Sequence, residues 1–430
     1  MTSASTNKSI SRKFLTLCII FFMFLQSYVS GIPGITFGEL LLIIACLLII
    51  FQNRFVIEIT KVTPLLLLFS ISLLISIISI PLQNSSFIQV SFIEVVTRLI
   101  RYFTYIFFVT LTAKHLDLKF ALKYYRIICL LLSIYILLQF SFYHIFHIML
   151  PIKILPLEWT RIYDVEILLN SIDASHFRAY GVFAEPGYAA VFLLPGFALS
   201  LFGWIERKVD YWILFLIAIA IMFTASLQGI IVSIFTVIAF LFRGSSRKFK
   251  REHFRKLRDI VIVALILMIL LIFFSSLDIF NVAILRIQNI FNNYVEGGGG
   301  STALRLFRGW SVFAALPLFY KIIGIGLGNM ANFVYEYNII TKYDSYDNSV
   351  IAMEFTDGVS GTLICTGVIG FVLLCRWIIS LFKKVSGVHK IILIQFVILL
   401  FAGTLVFSPT MVFYMGFIYA GYDINKNVAV

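Results

Sequence analysis

Charged residues are scarce in this chain of 430 residues, of which Asp, Glu, Lys and Arg together make up 13%. Soluble globular domains carry about 25% charged residues. Apolar residues account for 61% of the chain, and the mean hydropathy is +1.00. The composition therefore excludes an ordinary soluble domain and predicts an all-α, polytopic membrane protein.

Cysteine is also scarce. None of the cysteines has the spacing of a metal site, and none lies in a predicted outer loop, where disulfides would form. All of them fall within apolar segments: Cys18, Cys46, Cys129, Cys365 and Cys375. We interpret them as small apolar side chains that fill space between helices. The sequence thus indicates neither a structural metal nor a disulfide framework.

Acidic residues are outnumbered, 21 against 34 Lys and Arg, which gives a net charge of +13. A basic chain can bind nucleic acid, but most of the basic residues here fall on the predicted cytoplasmic side. Many of them crowd into one predicted cytoplasmic loop, residues 243–258. The positive-inside rule accounts for this distribution. We therefore expect no nucleic-acid partner and place both termini in the cytoplasm.

Long apolar runs are abundant, and a bilayer core of about 30 Å needs roughly 20 residues of helix. Because no small-residue cleavage pattern follows Lys13, we interpret the first run as a retained span. The stretch 211–242 is too long for one ordinary span, so we divide it near Ser226. The result is about twelve transmembrane helices: 14–30, 36–51, 63–80, 93–113, 124–149, 187–204, 211–225, 227–242, 259–276, 358–380, 390–406 and 408–421.

The whole chain, 1–430, reads as a single membrane domain with two large extracytoplasmic loops, 150–186 and 277–357. The second loop contains four consecutive glycines, 297–300, which predict a flexible joint. The segment that follows, 301–316, is partly amphipathic and too polar at its start to span. We predict a hinged helix there, near the outer interface.

The first loop ends in a compact group of polar and aromatic side chains. His176, Arg178, Glu185 and Tyr188 surround Pro186, which favours a helix start. These residues are candidates for binding or chemistry at the outer membrane surface. The alternative is a capping carboxylate beside an arginine that faces lipid headgroups.

The second loop holds two candidate groups. Arg305 and Arg308 lie one turn apart on the hinged helix, where two guanidinium groups would suit a diphosphate. The alternative is a general contact with anionic lipid. Later in the loop, Tyr346, Asp347 and Asn348 combine a ring, a carboxylate and an amide, a set that suits sugar binding and general-base chemistry. A solvated loop is the alternative there.

Three glycines alternate in Gly324-Ile-Gly326-Leu-Gly328, directly after the hinged helix. The spacing superficially resembles a nucleotide loop, but it lacks the strand-turn-helix context that such a loop requires. We therefore predict a tight turn or a close backbone approach instead.

Inside the predicted spans, Glu94, Arg98 and Arg101 share one helix face at i, i+4 and i+7. Charged residues in a membrane usually mark a functional cavity. The arginines suit a lipid phosphate, and a pair between Arg98 and Glu94 is the open alternative. Glu39 follows Thr36 by three residues, which predicts a structural capping box.

Three segments resemble the bacterial O-antigen polymerase (Wzy) and O-antigen ligase family of membrane glycan polymerases. They are Arg178 to Tyr188 entering a span, the two short spans joined near Ser226, and Arg305 to Asn329 with its alternating glycines. The predicted layout of spans and outer loops is similar to that of the family too. The resemblance extends over most of the chain.

The resemblance implies a metal-independent glycosyltransferase, without a cofactor, whose donor is an undecaprenyl-diphosphate-linked oligosaccharide. It implies Arg178 and Arg305 as diphosphate contacts, with Arg308 a local addition. The ligases of the family carry a His before Asn where this chain has Asp347-Asn348. This difference favours a polymerase and leaves Asp347, Glu185 and His176 all open as the base.

The product would be O-antigen, capsule or exopolysaccharide, made at the outer face of the bacterial cytoplasmic membrane. The resemblance also implies membrane lipids, a chain-length regulator and a lipid-linked sugar flippase as partners. A ligase-type transferase and a flippase or exporter of lipid-linked oligosaccharide are the alternative functions.

Overall fold

The computed structural model describes residues 2–32, 35–53, 62–79, 92–158, 177–204, 210–242, 288, 292, 304–330, 333–334, 337–343, 356–403 and 406–421. Within these ranges the side chains of 2–9, 76–79, 92–95, 97–99 and 241–242 are not described. The fold is all-α, as the composition predicts. Thirteen helices follow one another along the described residues: α1 Thr2–Leu25, α2 Phe37–Gln52, α3 Thr63–Ser79, α4 Phe92–His115, α5 Leu118–Phe146, α6 Pro186–Phe202, α7 Tyr211–Phe223, α8 Leu227–Phe242, α9 Gly309–Ala315, α10 Leu318–Ile323, α11 Gly358–Lys384, α12 Gly387–Phe401 and α13 Pro409–Ala420.

Every predicted span that falls within the described residues corresponds to a helix, and the predicted span 259–276 lies outside them. The first helix starts at Thr2 rather than near residue 14, because it continues through the polar residues that precede the apolar run. Among the described residues, two helices are both long and apolar enough to cross a bilayer, α5 and α11. By length and composition alone, this supports a membrane protein only weakly.

The chain divides into two compact units. The first contains residues 1–26, 30–118 and 289–430, and thus α1–α4 and α9–α13. In this unit α1 packs on α2, α3 on α11, and α13 on α4, α12 and α1. The short helices α9 and α10 lie against α11.

The second unit contains residues 27–29 and 119–288. Its centre is α6, which is buried along almost its whole length and packs on α7 and α8. Pro195 interrupts the hydrogen-bond ladder of α6, since proline has no N–H to donate. The hydroxyl of Tyr125 inserts at this point: it accepts from Gly196 N at 3.1 Å and donates to the Phe192 carbonyl. A side chain thus bridges the helix where its own ladder is weakened.

The predicted division of 211–242 is confirmed. Helix α7 ends at Phe223 and α8 begins at Leu227, with Ala225 at a positive φ of 44° between them. A non-glycine residue in this conformation marks a sharp turn rather than a continuous helix.

The longest feature of the first unit is a broken helix. Within α11, Gly367 takes φ 61° and ψ −169°, which no helical residue adopts, so α11 consists of two helical segments. The break lies nine residues from the first helical residue, about 14 Å along the axis. Only glycine adopts this backbone conformation at little cost.

Candidate active site in the first unit

The two arginines of the hinged helix lie on a turn of π-helix, Leu304–Arg308, which continues into α9. The described part of the predicted helix 301–316 is therefore helical up to Ala315, and the glycines 297–300 lie outside the described residues. Widened turns of this kind occur mostly at functional sites. The turn places the two arginines in different environments.

Arg308 is fully buried, with 0% of its surface exposed, whereas Arg305 is half-buried. The aliphatic stem of Arg305 lies against Gly403, where an added Cβ would be 3.1 Å from Cδ of the arginine. Arg308 is thus not placed for the diphosphate or lipid contact that the sequence suggests. A buried guanidinium carries a desolvation cost that its surroundings must offset.

Helix α9 packs closely on the start of α11. A Cβ added at Gly309 would overlap the side chain of Ser360 and approach Thr356 Cγ2 to 3.1 Å. Only a residue without a side chain permits this approach. The residue next to Arg308 thus touches the first turn of the broken helix.

That first turn is capped by Asp357, which is 1% exposed. Its Oδ1 accepts from Val359 N at 2.9 Å and from Ser360 N at 2.8 Å, and its Oδ2 accepts from the Ser360 hydroxyl. Burial raises the pKa of the Asp357 carboxyl above its usual value, even though these hydrogen bonds act in the opposite direction. A carboxylate so perturbed beside a cavity is a candidate functional group.

The alternating glycines form the predicted tight turn with close backbone approach. Gly324, Gly326 and Gly328 all have positive φ angles, of 85°, 89° and 77°. The turn donates from Ile325 N to Ile364 O and from Gly326 N to Cys365 O, both at 2.9 Å. These two carbonyls lie just before the break in α11, so the glycine turn supplies the partners that a continuous helix would have supplied.

A small cavity of about 50 Å³ opens where these elements meet α4 and the segment before α13. Its volume is far below the roughly 300 Å³ at which ligand pockets begin. The wall is mostly apolar, with three threonines and three glycines among its residues: Tyr102, Leu327, Gly328, Met330, Thr356, Gly358, Gly361, Thr362, Ile364, Cys365, Thr366, Val406 and Phe407.

Arg101 lies one residue before this wall on α4. Its Nε is 3.0 Å from Glu39 Oε1, and its side chain is 35% exposed. Glu39 belongs to the first turn of α2, so Arg101 lies level with the start of that helix, and α4 extends about 14 Å beyond it. The side chains of Arg98 and Glu94 are outside the described residues, so the alternative pair between them stays a prediction.

The capping box is confirmed: Thr36 Oγ1 accepts from Glu39 N at 3.2 Å, and Glu39 Oε2 accepts from Thr36 N at 2.8 Å. The contact with Arg101 is a second role of Glu39 that the sequence spacing does not predict. Sequence reasoning could have found Asp357, because an Asp before Gly at the start of an apolar run is a capping signal. No sequence pattern indicates that Tyr102 and Phe407 would meet, their rings 5.4 Å apart.

The predicted first-loop group lies in the second unit. Arg178 is half-buried and donates from Nε to the Thr224 carbonyl at 2.9 Å, at the end of α7. Gln139 holds the next residues: its Oε1 accepts from Tyr180 N and Gly181 N, each at 2.9 Å, and its Nε2 donates to Gly181 O at 3.2 Å. The segment after Arg178 is thus fixed by a buried amide on α5.

Helix α6 begins at Pro186, as predicted, with Glu185 at the N-cap position. The Glu185 side chain makes no capping hydrogen bond within the described residues, so its alternative as a capping carboxylate gains no support. Tyr188 follows with 41% of its surface exposed. His176 of the first loop, and Tyr346, Asp347 and Asn348 of the second, lie outside the described residues.

The structure therefore places Arg305, Arg308 and Arg101 in the first unit and Arg178, Glu185 and Tyr188 in the second. Each group is defined only within its own unit. The chain matches no protein-family model, and no curated protein and no solved structure is significantly similar to it.

Proposed function

We propose that the protein is a membrane polysaccharide polymerase that transfers a glycan from a lipid diphosphate to an acceptor sugar at the outer face of the cytoplasmic membrane. The observation that carries this proposal is the π-helical turn with Arg305 and Arg308, which continues into a helix packed on the capped start of broken α11. The half-buried Arg305 on this turn supplies a cationic group of the kind that stabilises a diphosphate leaving group.

The apolar outer faces of the helices support several membrane crossings. On α2 the exposed side chains include Ile44, Leu47, Leu48 and Phe51, and α3, α5, α8 and α11 each expose large apolar residues as well. Soluble monomers rarely expose apolar surface on this scale. With the basic loop 243–258 inside, the proposed topology has both termini in the cytoplasm and the two large loops outside.

The proposed chemistry is a direct substitution at the anomeric carbon. The acceptor hydroxyl oxygen bonds to that carbon, its proton passes to a carboxylate or imidazole, and the bond to the diphosphate oxygen breaks. The lipid diphosphate leaves with the electron pair, and arginine stabilises its charge. Asp347, Glu185 and His176 remain the candidates for the base.

Arg305 and Arg308 have different parts in this proposal. Arg305 is half-buried and can receive a phosphate oxygen. Arg178 keeps the role of a diphosphate contact that the family resemblance implies. Arg308 is fully buried, so we assign it to holding the turn against the rest of the first unit. Tyr188, Tyr346 and Asn348 are the proposed sugar contacts.

A flippase is the second candidate, and one observation favours it. Transporters often place broken helices near the middle of the membrane, and α11 is broken at Gly367. The carbonyls of Ile364 and Cys365 before this break are bonded to the glycine turn, however, rather than turned toward an ion or substrate path. The polymerase therefore remains the preferred function.

The test is gel analysis of lipid-linked glycans in a strain that lacks the gene and is complemented with variants. We expect single repeat units to accumulate on the outer side without the gene, and Arg305→Ala and Arg178→Ala to restore little polymer. Arg376→Ala is the matched control, because Arg376 is an exposed arginine in the second half of α11. Each variant is quantified in the membrane by immunoblot.

Normal chain lengthening with both Arg178→Ala and Arg305→Ala would overturn the proposed site. Repeat units that accumulate on the inner side would instead identify a flippase. Full-length polymer that accumulates on the lipid carrier would identify a ligase.

A further inference from the structure

The contact between Glu39 and Arg101 belongs to a polar network where α1, α2 and α4 meet. The Glu39 side chain is 5% exposed. Its Oε1 accepts from the Tyr105 hydroxyl at 2.8 Å and from Gln26 Nε2 at 3.3 Å, in addition to facing Arg101 Nε at 3.0 Å. A buried carboxylate is thus compensated by neighbours from two other helices.

The two carboxylate oxygens have separate partners. Oε2 completes the capping box with Thr36 N at 2.8 Å, whereas Oε1 receives all the contacts from α4 and from Gln26. A capping box needs only the first of these oxygens. The second oxygen therefore does something that helix capping does not explain.

Glu39 contacts the guanidinium of Arg101 at Nε. Nε is itself buried, so the exposed third of the side chain must lie in its other atoms. The contact between Arg101 Nε and Glu39 is a charge contact at 3.0 Å without hydrogen-bond geometry. The two terminal nitrogens of a guanidinium form a fork, the geometry that matches a phosphate.

Arg101 directly precedes a residue of the cavity wall. The next residue, Tyr102, forms part of the cavity wall and packs against Phe407. The turn of α4 that carries Arg101 is thus fixed on one side by Glu39 and on the other by the cavity wall.

We propose that Glu39 is a positioning residue, which orients Arg101 so that its guanidinium binds a phosphate of the lipid-diphosphate substrate. This inference rests on the proposed function. Its physical basis is pre-organisation: an arginine already fixed by a carboxylate loses less side-chain entropy when the ligand arrives. Glu39 also partly neutralises the arginine, which by itself would weaken phosphate binding. The direction in which a Glu39 substitution changes the Kd therefore decides between pre-organisation and neutralisation.

The test measures binding of radiolabelled undecaprenyl diphosphate to the full-length chain in phosphatidylcholine nanodiscs. We expect Arg101→Gln to raise the Kd roughly tenfold, as the loss of a charge-assisted hydrogen bond does. Glu39→Gln keeps an oxygen for Thr36 N but removes the charge, and we expect it to raise the Kd by roughly three- to tenfold. The double variant should bind no more weakly than Arg101→Gln alone, because Glu39 acts through Arg101.

Thr36→Ala is the matched control, since it removes the hydroxyl that caps Glu39 N and leaves Oε1 in contact with Tyr105 and Arg101. It also removes the bond of that hydroxyl to Gln26 Oε1 at 2.9 Å. It should lower the Tm without changing the Kd, whereas a purely capping Glu39 would make Glu39→Gln behave in the same way. Tyr105→Phe provides a second, milder variant, and we expect a smaller rise in Kd from it.

Unchanged or tighter binding by Glu39→Gln would overturn the positioning role, as would unchanged binding by Arg101→Gln while the wild type binds. Failure of the wild type to bind the lipid diphosphate would overturn the proposed function itself. Phosphatidylglycerol in the nanodiscs is the last arm. If it competes as well as the diphosphate, Arg101 contacts general anionic headgroups and the inference is wrong.

Discussion

The backbone N–H of Ile325 donates to the carbonyl oxygen of Ile364 across 2.9 Å, and so joins the glycine turn to the broken helix. Gly367 makes this junction possible, since a Cβ there would overlap the Ile322 carbonyl and lie 2.6 Å from Gly324 N. The turn and the helix break therefore depend on each other. This pairing fixes the first half of α11, and with it Asp357 and the cavity wall.

Substitution of Gly367 by Ala should destabilise the first unit strongly, because the side chain meets backbone and not a flexible side chain. We expect the free energy of unfolding to fall by about 3 kcal/mol, because the unfavourable φ and the overlap both contribute. Gly387→Ala is the control, since Gly387 has a similar φ of 63° and nothing within 4 Å of an added Cβ.

Gly387→Ala should lower the free energy of unfolding by only about 1–2 kcal/mol, because only the unfavourable backbone conformation contributes. The measurement is the Tm of both variants in detergent by differential scanning fluorimetry. Equal shifts would show that the approach of the glycine turn does not matter for stability.

The sequence predicts the helices well because a span leaves a long apolar run, and this signal is local. The capping box of Thr36 and Glu39 and the break after Phe223 are likewise local, and both are confirmed. The sequence predicts that the glycine turn makes a close backbone approach. It does not predict that the approach is to α11. Ile325 and Ile364 are far apart in sequence, and no residue pattern encodes their hydrogen bond.

The candidate site is less predictable for the same reason. The spacing of Arg305 and Arg308 predicts two guanidinium groups that suit one diphosphate, yet Arg308 is fully buried and Arg305 is half-buried. A π-helical turn changes the direction of each side chain in a way that helical spacing does not anticipate. The sequence predicts a lipid phosphate as the partner of Arg101 and does not predict its contact with Glu39 of α2.

Arg308→Ala should therefore act on folding, and Arg305→Ala on ligand binding. Loss of the buried Arg308 leaves a void and strands the groups around it, at a cost of about 3 kcal/mol. Loss of the half-buried Arg305 should cost less than about 1 kcal/mol. The Tm in detergent and the binding of undecaprenyl diphosphate, measured on the same samples, separate the two effects.

Arg305→Lys is the informative companion, because lysine keeps the charge but not the planar fork. We expect it to bind more weakly than the wild type and more tightly than Arg305→Ala. The assignment fails if Arg305→Ala lowers the Tm as much as Arg308→Ala does.

Gln139→Leu should loosen the segment that carries Arg178. The substitution keeps the approximate size of the side chain but leaves Tyr180 N and Gly181 N without their acceptor. Each buried N–H without a partner costs about 1–3 kcal/mol. Hydrogen exchange followed by mass spectrometry should show faster exchange in 177–185, together with a lower Tm.

Gln52→Leu is the control for Gln139→Leu, since Gln52 is a half-buried glutamine of the first unit whose Nε2 donates to Ser11 Oγ at 2.6 Å. It should leave exchange in 177–185 unchanged. Slow exchange of this segment in Gln139→Leu would contradict the role of the amide.

Asp357 should make stability depend on pH in a direction opposite to that of most carboxylates. Burial raises its folded pKa above the usual 3.8, so the folded state binds the proton more tightly than the unfolded state does. Its contribution to stability is therefore full below pH 3.8 and is lost as the pH rises through the folded pKa.

Asp357→Asn cannot ionise and keeps an oxygen that can cap Val359 N and Ser360 N. The Tm of the wild type relative to Asp357→Asn should thus fall as the pH rises above 3.8. Asp357→Ala removes the capping oxygen as well as the titratable group. Relative to Asp357→Asn, it should therefore lower the Tm by a similar amount at every pH. A wild-type Tm that rises relative to Asp357→Asn over this range would mean that the carboxylate is stabilised in its charged form, and that Asp357 serves the fold as an ordinary N-cap.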